Sequence, residues 1–230
     1  MLAALVPPLF LLWKIYNMDK IEHEPPKLIA KLFIFGALMC LPAGIIESFG
    51  DAIIQNVLPQ GSLIYFFVDA FLIVALAEEG VKRFILKKLT WNHPAFDYHF
   101  DGVVYAVTAS LGFAALENIL YVFGAGTLSD GMALAATRGL LSIPGHCIFG
   151  IFMGLYYSQA KHAERMGDSA ALGQAKRNSL LVPVLLHGFY DFCLFTGNVI
   201  FMAIFFVFIV LVYIGAYRTI RRYASEDRPL

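Results

Sequence analysis

The chain has 230 residues, of which 59% are hydrophobic and 15% charged, and its mean hydropathy is +0.70. A soluble domain is about half apolar and about a quarter charged, so this composition excludes an ordinary water-soluble domain and indicates an integral membrane protein. The formal net charge of zero argues against nucleic acid as a partner. We therefore expect one membrane domain over residues 1–230, with the lipid bilayer around it.

The apolar runs are continuous rather than alternating, so they predict helices and not the strands of a membrane barrel. A span needs about 20 apolar residues, which predicts an all-α, polytopic bundle of about seven transmembrane helices. The first run is expected to be an uncleaved helix, and the last two to form a hairpin that turns at 196–198. The spans are expected near residues 1–17, 28–49, 61–82, 101–125, 130–158, 179–197 and 198–218.

Basic residues are concentrated in every second connection. The connections at 18–27, 83–100 and 159–178 and the C-terminal tail contain Lys and Arg, whereas those at 48–60 and 124–131 contain neither. By the positive-inside rule, the basic loops and the C-terminus are predicted to be cytoplasmic and the N-terminus outside. The expected location is a cell membrane that the chain crosses several times.

Two adjacent carboxylates, Glu78 and Glu79, end the apolar run of the third span, where ionisable side chains are costly. Each has a cation four residues on, Lys82 for Glu78 and Arg83 for Glu79, so an ion-paired helix end is the purely structural explanation. Adjacent helical positions point about 100° apart. We therefore expect one glutamate to face a cavity, and the other to pair with Arg83 or Lys82 and hold the helix.

Three further spans carry acidic or imidazole side chains. Glu117 and Asn118 lie in the fourth span, His146 in the fifth, and His187 and Asp191 at i,i+4 in the sixth. A carboxylate beside a histidine can fix the tautomer for base catalysis or for metal binding. Each feature alone is compatible with helix packing. Four spans with such groups at comparable depth indicate a site that activates water, with one group as the base and another for the oxyanion.

Short motifs around these residues occur in a fixed order on separate spans, and together they resemble the PrsW family of intramembrane proteases. That family is related to the type II CAAX prenyl endopeptidases, which have histidine and asparagine where this chain has Glu117 and Asp191. The motifs are E-E-x-x-K and E-E-x-x-x-R in "AEEGVKRF" (Glu78, Glu79, Lys82, Arg83), F-x-x-x-E in "GFAALEN" (Phe113, Glu117), His146 in "HCIFG", and H-x-x-x-D in "HGFYD" (His187, Asp191).

The resemblance implies an integral membrane endopeptidase that makes the first, site-1 cut in a single-pass membrane protein. The substrate type it implies is an anti-sigma factor, cut on its extracytoplasmic side during stress signalling. Glu78 lies roughly 13 Å inside the cytoplasmic edge at Lys87, so such a cut requires a water-filled cavity open to one face, or a bent third span. The expected catalytic residues are Glu78, Glu79, His146 and His187, with Lys82, Arg83, Phe113, Glu117, Asn118 and Asp191 in support.

The expected mechanism uses no metal and no cofactor. Glu78, the preferred base of the pair, activates a water with His146, while His187, oriented by Asp191, polarises the scissile carbonyl. The nearest alternative is a zinc protease with Glu78, His146 and His187 as ligands, although no H-E-x-x-H is present. A CAAX-type prenyl-protein endopeptidase is a second alternative. A non-catalytic scaffold or a transporter is an alternative of another class.

Overall fold

A computed structural model describes residues 2–230, and the chain is helical through most of that range. Within it no β-strand forms, and Tyr98 and Pro229 make one isolated bridge. One stretch, Val68–Val74, is a π-helix that joins α4 to α5. The α-helices are α1 (Leu2–Tyr16), α2 (Pro26–Leu38), α3 (Cys40–Val57), α4 (Leu63–Phe67), α5 (Ala75–Thr90), α6 (Asp101–Gly124), α7 (Leu128–Leu140), α8 (Ser142–Arg165), α9 (Ser169–Phe195) and α10 (Val199–Ser225).

Every predicted span corresponds to one helix or to two or three consecutive helical segments, which confirms an all-α, polytopic membrane bundle. In the described part of the chain, five helical segments are long and apolar enough to cross a membrane. Of the other two predicted spans, α1 is shorter, and the helix over residues 63–90 carries Asp69, Glu78 and Glu79. The predicted hairpin turn at 196–198 is also present, with Gly197 at φ 59°.

Several predicted boundaries are wrong because helices continue beyond their apolar part. The predicted connection at 159–178 is mostly helical, and only residues 166–168 separate α8 from α9. Gly167 has φ 71°, which suits the end of α8, and Asp168 caps α9 by accepting from the backbone N–H groups of Ala170 and Ala171. Polar residues with good helix propensity then extend α9 into the aqueous region.

Helix α6 is at the centre of the bundle, and α10 is at its edge. In the most apolar 18-residue stretch of each helix, 78% of α6 is buried, compared with 17% of α10. Exposed apolar side chains such as Val199 on α10 therefore face lipid rather than water. Helices α6 and α8 approach closely at Gly154, where an added Cβ would lie 2.5 Å from the Cα of Val103. This contact fixes the position of α8 against α6.

The π-helix immediately precedes the glutamate pair. Its wider turn ends where the backbone N–H of Ala75 donates to the carbonyl of Ala70, five residues earlier. Such turns are rare and occur frequently near functional sites. The extra residue changes the direction in which the following residues of α5 point, so the π-helix determines which face of α5 carries Glu78.

Three segments meet at one end of the bundle: the α1–α2 loop (residues 17–25), the α5–α6 loop (residues 91–100) and the C-terminal tail. The backbone N–H of His99 donates to the carbonyl of Arg228 over 3.0 Å, and that of Leu230 donates to Asp97 over 2.7 Å. These segments all belong to the predicted cytoplasmic set, so their common position agrees with the predicted alternation of loops. The orientation of this end in the membrane remains a prediction.

We expect single cysteines at Ser129 and Ser169 to be labelled from opposite sides of the membrane, because Ser129 begins and Ser169 follows the helical segment 129–165, which is long enough to cross it. A membrane-impermeant maleimide should modify Ser129→Cys in intact cells and Ser169→Cys only after lysis. The background should lack the three native cysteines, which are all buried. Modification of both positions from the same side would overturn the predicted topology.

Candidate active site

The four predicted catalytic residues converge inside the bundle. Glu78 and Glu79 come from α5, His146 from α8 and His187 from α9, and each offers a carboxylate oxygen or ring nitrogen within 4.8 Å of the others. None is more than 4% exposed. The structure thus brings together residues from three predicted spans, as their comparable depths in the sequence indicated.

Lys82 lies at the centre of this cluster and is completely buried. Its Nζ is 2.9 Å from Oε2 of Glu78 and 2.8 Å from Oε1 of Glu79, so one ammonium pairs with both carboxylates. The same Nζ lies 3.0 Å from Nδ1 of His146 and 4.1 Å from the ring centroid of Phe113. The ammonium therefore holds both glutamates and His146 in place, with a cation–π contact to Phe113.

Of the two predicted partners of Glu79, Lys82 pairs with it and Arg83 does not, because Arg83 points away from the cluster. Its Nε donates to the hydroxyl of Ser179 over 2.7 Å, and its Nη2 donates to the carbonyl of Lys176 over 2.8 Å. Arg83 therefore joins α5 to the start of α9 near the basic end of the bundle. The i,i+3 pair of Glu79 with Lys82 takes the place of the expected i,i+4 pair.

The contacts of His146 determine its tautomer. An ammonium can only donate hydrogen bonds, so Nδ1 of His146 must accept from Lys82 and carries no proton. The proton of the neutral ring is then on Nε2, which lies 3.0 Å from Oε2 of Glu117 and donates to it. His146 thus connects the glutamate pair of α5 with Glu117 of α6.

His187 lies between two carboxylates. Its Nδ1 is 3.0 Å from Oε1 of Glu79, and its Nε2 is 3.2 Å from Oδ2 of Asp191. A carboxylate only accepts hydrogen bonds, so both ring nitrogens act as donors in this arrangement. The ring also stacks on Phe149, with the centroids 4.8 Å apart. Asp191 contacts His187 in the way that the H-x-x-x-D spacing predicts.

Glu117 pairs with a cation that is distant from it in the sequence. Nη2 of Arg138, on α7, lies 2.6 Å from Oε2 of Glu117, and its Nε donates to Oδ1 of Asn118 over 3.2 Å. Asn118 in turn donates to the carbonyl of Ala4 over 3.3 Å, which ties α6 to α1. The guanidinium also lies 4.0 Å from the ring centroid of Tyr121. Glu117, Asn118 and Arg138 thus form one hydrogen-bonded group, of which Glu117 and Arg138 line the cavity and Asn118 does not.

A cavity of about 280 Å³ adjoins these groups. Glu78, His146 and His187 are among its lining residues, whereas Glu79 is not. Of the two adjacent glutamates, Glu78 therefore faces the cavity, as the 100° separation of neighbouring helical positions suggests. The volume is sufficient for several water molecules next to Glu78.

The cavity extends toward the end of the bundle opposite the basic connections. Its walls include Tyr121 and Phe195, which are exposed and lie close along the chain to the connections at 125–127 and 196–198. The cavity therefore connects Glu78 with the non-basic end, although Glu78 lies slightly nearer to the basic end of the continuous helical stretch 63–90.

Sequence reasoning missed Glu47 and the role of Arg138, and both line the cavity. Glu47 lies near the predicted end of the second span. A carboxylate at the edge of a membrane is common and does not by itself indicate a functional site. Arg138 is visible as a cation within a predicted span, but nothing in its spacing links it to Glu117. The signal that could have identified Arg138 is the presence of an intramembrane carboxylate, Glu117, without a cation near it in the sequence.

The donor types in the cluster suit zinc, since two imidazoles and two carboxylates lie close together. The geometry does not fit an added ion, because the ammonium of Lys82 already contacts Glu78, Glu79 and His146. A metal bound by the same atoms would require Lys82 to withdraw. In this arrangement, Lys82 and a metal exclude each other.

Comparison with known proteins agrees with the motifs. The family model described as "PrsW family intramembrane metalloprotease" matches residues 24–215. Protease PrsW of Oceanobacillus iheyensis is 38% identical, over 98% of this chain and 95% of the relative. Protease PrsW of Geobacillus kaustophilus is 36% identical over 84% of this chain and 78% of the relative, and that of Bacillus subtilis is 38% identical over 84% and 81%. No solved structure matches.

The family match covers most of the chain, and the curated relatives align with it over most of their own length. The matched range includes every residue of the buried cluster, together with Glu117 and Asp191. The chain belongs to the PrsW family of intramembrane proteases.

Proposed function

We propose that this protease makes the first, site-1 cut in a single-pass membrane protein such as an anti-sigma factor, with a water activated by Glu78 and without a bound metal. The observation that carries the proposal is the cavity in which Glu78, His146 and His187 share a wall. A base, a donor and room for water are thereby present at one place in the bundle.

In the proposed reaction, Glu78 accepts a proton from a cavity water, and the resulting hydroxide attacks the scissile carbonyl carbon. The tetrahedral intermediate collapses as the C–N bond breaks, and Glu78 returns its proton to the leaving amine. The sum is one water consumed for one peptide bond cleaved. In the structure, the protonated Nε2 of His146 donates to Glu117. In the proposed reaction, the imidazole ring rotates toward the cavity and its Nε2–H orients the water.

His187 is proposed to donate to the carbonyl oxygen as negative charge develops on it. Both ring nitrogens of His187 contact carboxylates. The substrate carbonyl must therefore displace Asp191 from the Nε2–H group or share that group with Asp191. Catalytic hydrogen bonds often form fully only in the substrate complex. Asp191 is then the positioning residue that keeps the ring facing the cavity.

The direction of the cavity supports a cut on the extracytoplasmic side. The cavity extends toward the end without basic connections, which the positive-inside rule predicts to be outside. A carboxyl-terminal prenylated segment on the cytoplasmic side would have to reach Glu78 from the basic end. The geometry therefore favours a single-pass protein over a prenyl protein as the substrate.

A zinc-dependent protease is the second candidate, because four ligand atoms of suitable type lie within 4.8 Å of one another. In that case Glu78, His146 and His187 would hold the ion, and the ion would polarise the carbonyl and the water. Lys82 would then have to leave the cluster. The metal content of purified protein therefore separates the two candidates.

The substrate proposal can be tested with purified protein in vesicles that contain a panel of single-pass peptides. We expect cleavage near the extracytoplasmic membrane edge, with Glu78→Gln as the inactive control and product masses giving the position of the cut. Cleavage on the cytoplasmic side only, or of prenylated peptides only, would contradict the proposed substrate class. Absence of any cleavage by the pure protein would instead favour a scaffold role.

We expect His187→Ala to lower the cleavage rate more than Asp191→Asn does. Removal of one oxyanion donor costs about 2.7–4 kcal/mol, or about a hundredfold to a thousandfold in rate. The asparagine amide can still contact the ring, so Asp191→Asn should retain partial activity. Rates in vesicles and metal content should be measured on the same preparations. An equal loss in both variants, or loss of a stoichiometric metal, would contradict this role for His187.

A further inference from the structure

A second group of buried carboxylates lies far from the glutamate cluster along the chain. Asp19 and Glu24 come from the α1–α2 loop, and Asp101 begins α6, and each offers an oxygen within 4.8 Å of the other two. Their exposed fractions are 4%, 1% and 1%. Three carboxylates this close in the interior require compensating positive charge or protons.

We propose that Asp19, Glu24 and Asp101 bind one hard divalent cation, Mg²⁺ or Ca²⁺, at the end of the bundle where the α1–α2 loop, the start of α6 and the C-terminal tail meet. An all-oxygen donor set suits these ions and not the softer metals that prefer sulfur or nitrogen. The proposal is independent of the proteolytic mechanism.

Each carboxylate has one buried oxygen without a hydrogen-bond partner: Oδ2 of Asp19, Oε1 of Glu24 and Oδ1 of Asp101. The other oxygens of Glu24 and Asp101 are held by the protein. Oε2 of Glu24 accepts from the hydroxyl of Tyr105, and Oδ2 of Asp101 accepts from the backbone N–H of Tyr98 over 2.7 Å. The carboxylates of Glu24 and Asp101 are thus each oriented by a hydrogen bond to one oxygen, and the other oxygen of each is available to bind an ion.

In the described part of the chain, no side-chain cation forms an ion pair with the group of Asp19, Glu24 and Asp101. A fourth carboxylate, Asp227 of the tail, adds negative charge near Asp19 and also has a buried free oxygen, Oδ2. A divalent cation bound by the free oxygens of Asp19, Glu24 and Asp101 would supply the missing positive charge.

A cation here would join the loop, the bundle and the tail. Oδ1 of Asp227 accepts from the backbone N–H of Phe100 over 2.8 Å, next to Asp101. Binding should therefore stabilise the folded chain by a free energy that rises with the logarithm of the ion's concentration once that concentration exceeds Kd. Cation binding should have little effect on the glutamate cluster. The residues of that cluster lie on α5, α8 and α9, and none of these helices contributes a carboxylate to the proposed cation site.

The test is thermal unfolding of the full chain in detergent, after treatment with a chelator and titration with Mg²⁺ or Ca²⁺ alone. We expect Tm to rise with the logarithm of the concentration of one of the two ions, and a stoichiometry near one per chain by calorimetry. Separate titrations distinguish Mg²⁺ from Ca²⁺. The rise should disappear in Glu24→Gln and in Asp19→Asn. It should persist in Glu22→Gln, an exposed carboxylate in the same loop, and in Glu78→Gln.

The proposal is overturned if neither ion raises Tm, or if the rise survives in both Glu24→Gln and Asp19→Asn. Loss of the rise in Glu78→Gln would place the ion in the glutamate cluster and would also overturn it. If the neutral variants are more stable than the wild type and indifferent to cations, the carboxylates share protons instead. Should Glu24→Gln fail to fold, Asp19→Asn decides the result, because Asp19 does not contact Tyr105.

Discussion

Glu78→Gln is expected to lower the rate of peptide cleavage by at least about a hundredfold while leaving the fold intact. The glutamine carbonyl can still accept the hydrogen bond of Lys82, but the amide cannot take a proton from water. Because Glu78 faces the cavity and Glu79 does not, the loss should be in the chemical step rather than in folding.

Glu79→Gln should behave differently, because Glu79 is completely buried between Lys82 and His187. Loss of its charge weakens two charge-assisted hydrogen bonds, and each such bond is worth about 1.5–3 kcal/mol. We expect a clear fall in the thermal stability of this variant, together with reduced activity from the misplaced His187.

The two variants can be compared by cleavage rate in vesicles and by thermal unfolding in detergent. Glu22→Gln serves as the matched control, since Glu22 is exposed and distant from the cluster. Normal cleavage by both Glu78→Gln and Glu79→Gln would show that neither carboxylate is the base. A stability loss in Glu78→Gln equal to that in Glu79→Gln would remove the distinction between them.

The fold class and most of the site could be predicted because the signals are local. Continuous apolar runs identify helices, and the expense of charge in a bilayer makes Glu78, Glu117, His146 and His187 conspicuous. The i,i+4 spacing of His187 and Asp191 is enough to place them on one face of α9. These inferences need no knowledge of how the helices pack.

The missing parts depend on packing between helices that are distant in sequence. Lys82 and Arg83 are equivalent by spacing, and only the position of α9 decides that Arg83 contacts Ser179 while Lys82 enters the cluster. Similarly, Arg138 reaches Glu117 because α7 folds back against α6. The π-helix before Glu78 could not be predicted, because the apolar run around it is compatible with an α-helix as well as with a π-helix.

Lys82→Met should be the most destabilising single change in the cluster. Removal of one partner from a buried ion pair costs about 3–5 kcal/mol, because the carboxylates of Glu78 and Glu79 would remain in the interior without compensation. Arg83→Met is the matched control, since Arg83 is the adjacent residue of α5 and lies outside the cluster. It should lose less stability and leave cleavage largely unchanged.

The same variant separates the two protease mechanisms. In the metal-free mechanism, Lys82→Met loses activity and contains no zinc, because the ammonium itself holds Glu78 and His146 in position. In a zinc enzyme, the ammonium would compete with the ion for the same atoms. Lys82→Met would then bind zinc more tightly than the wild type, and added zinc would support its cleavage activity.

A double variant keeps this test informative if Lys82→Met fails to fold. Glu79→Gln combined with Lys82→Met removes one charge of each sign, so its stability loss should be smaller than the sum of the two single losses. Unfolding free energies of the four proteins give the coupling energy directly, and elemental analysis gives the zinc content. Zero coupling would show that Lys82 does not pair with Glu79. A stoichiometric zinc in the wild type that increases in affinity without Lys82 would replace the metal-free mechanism by the zinc mechanism.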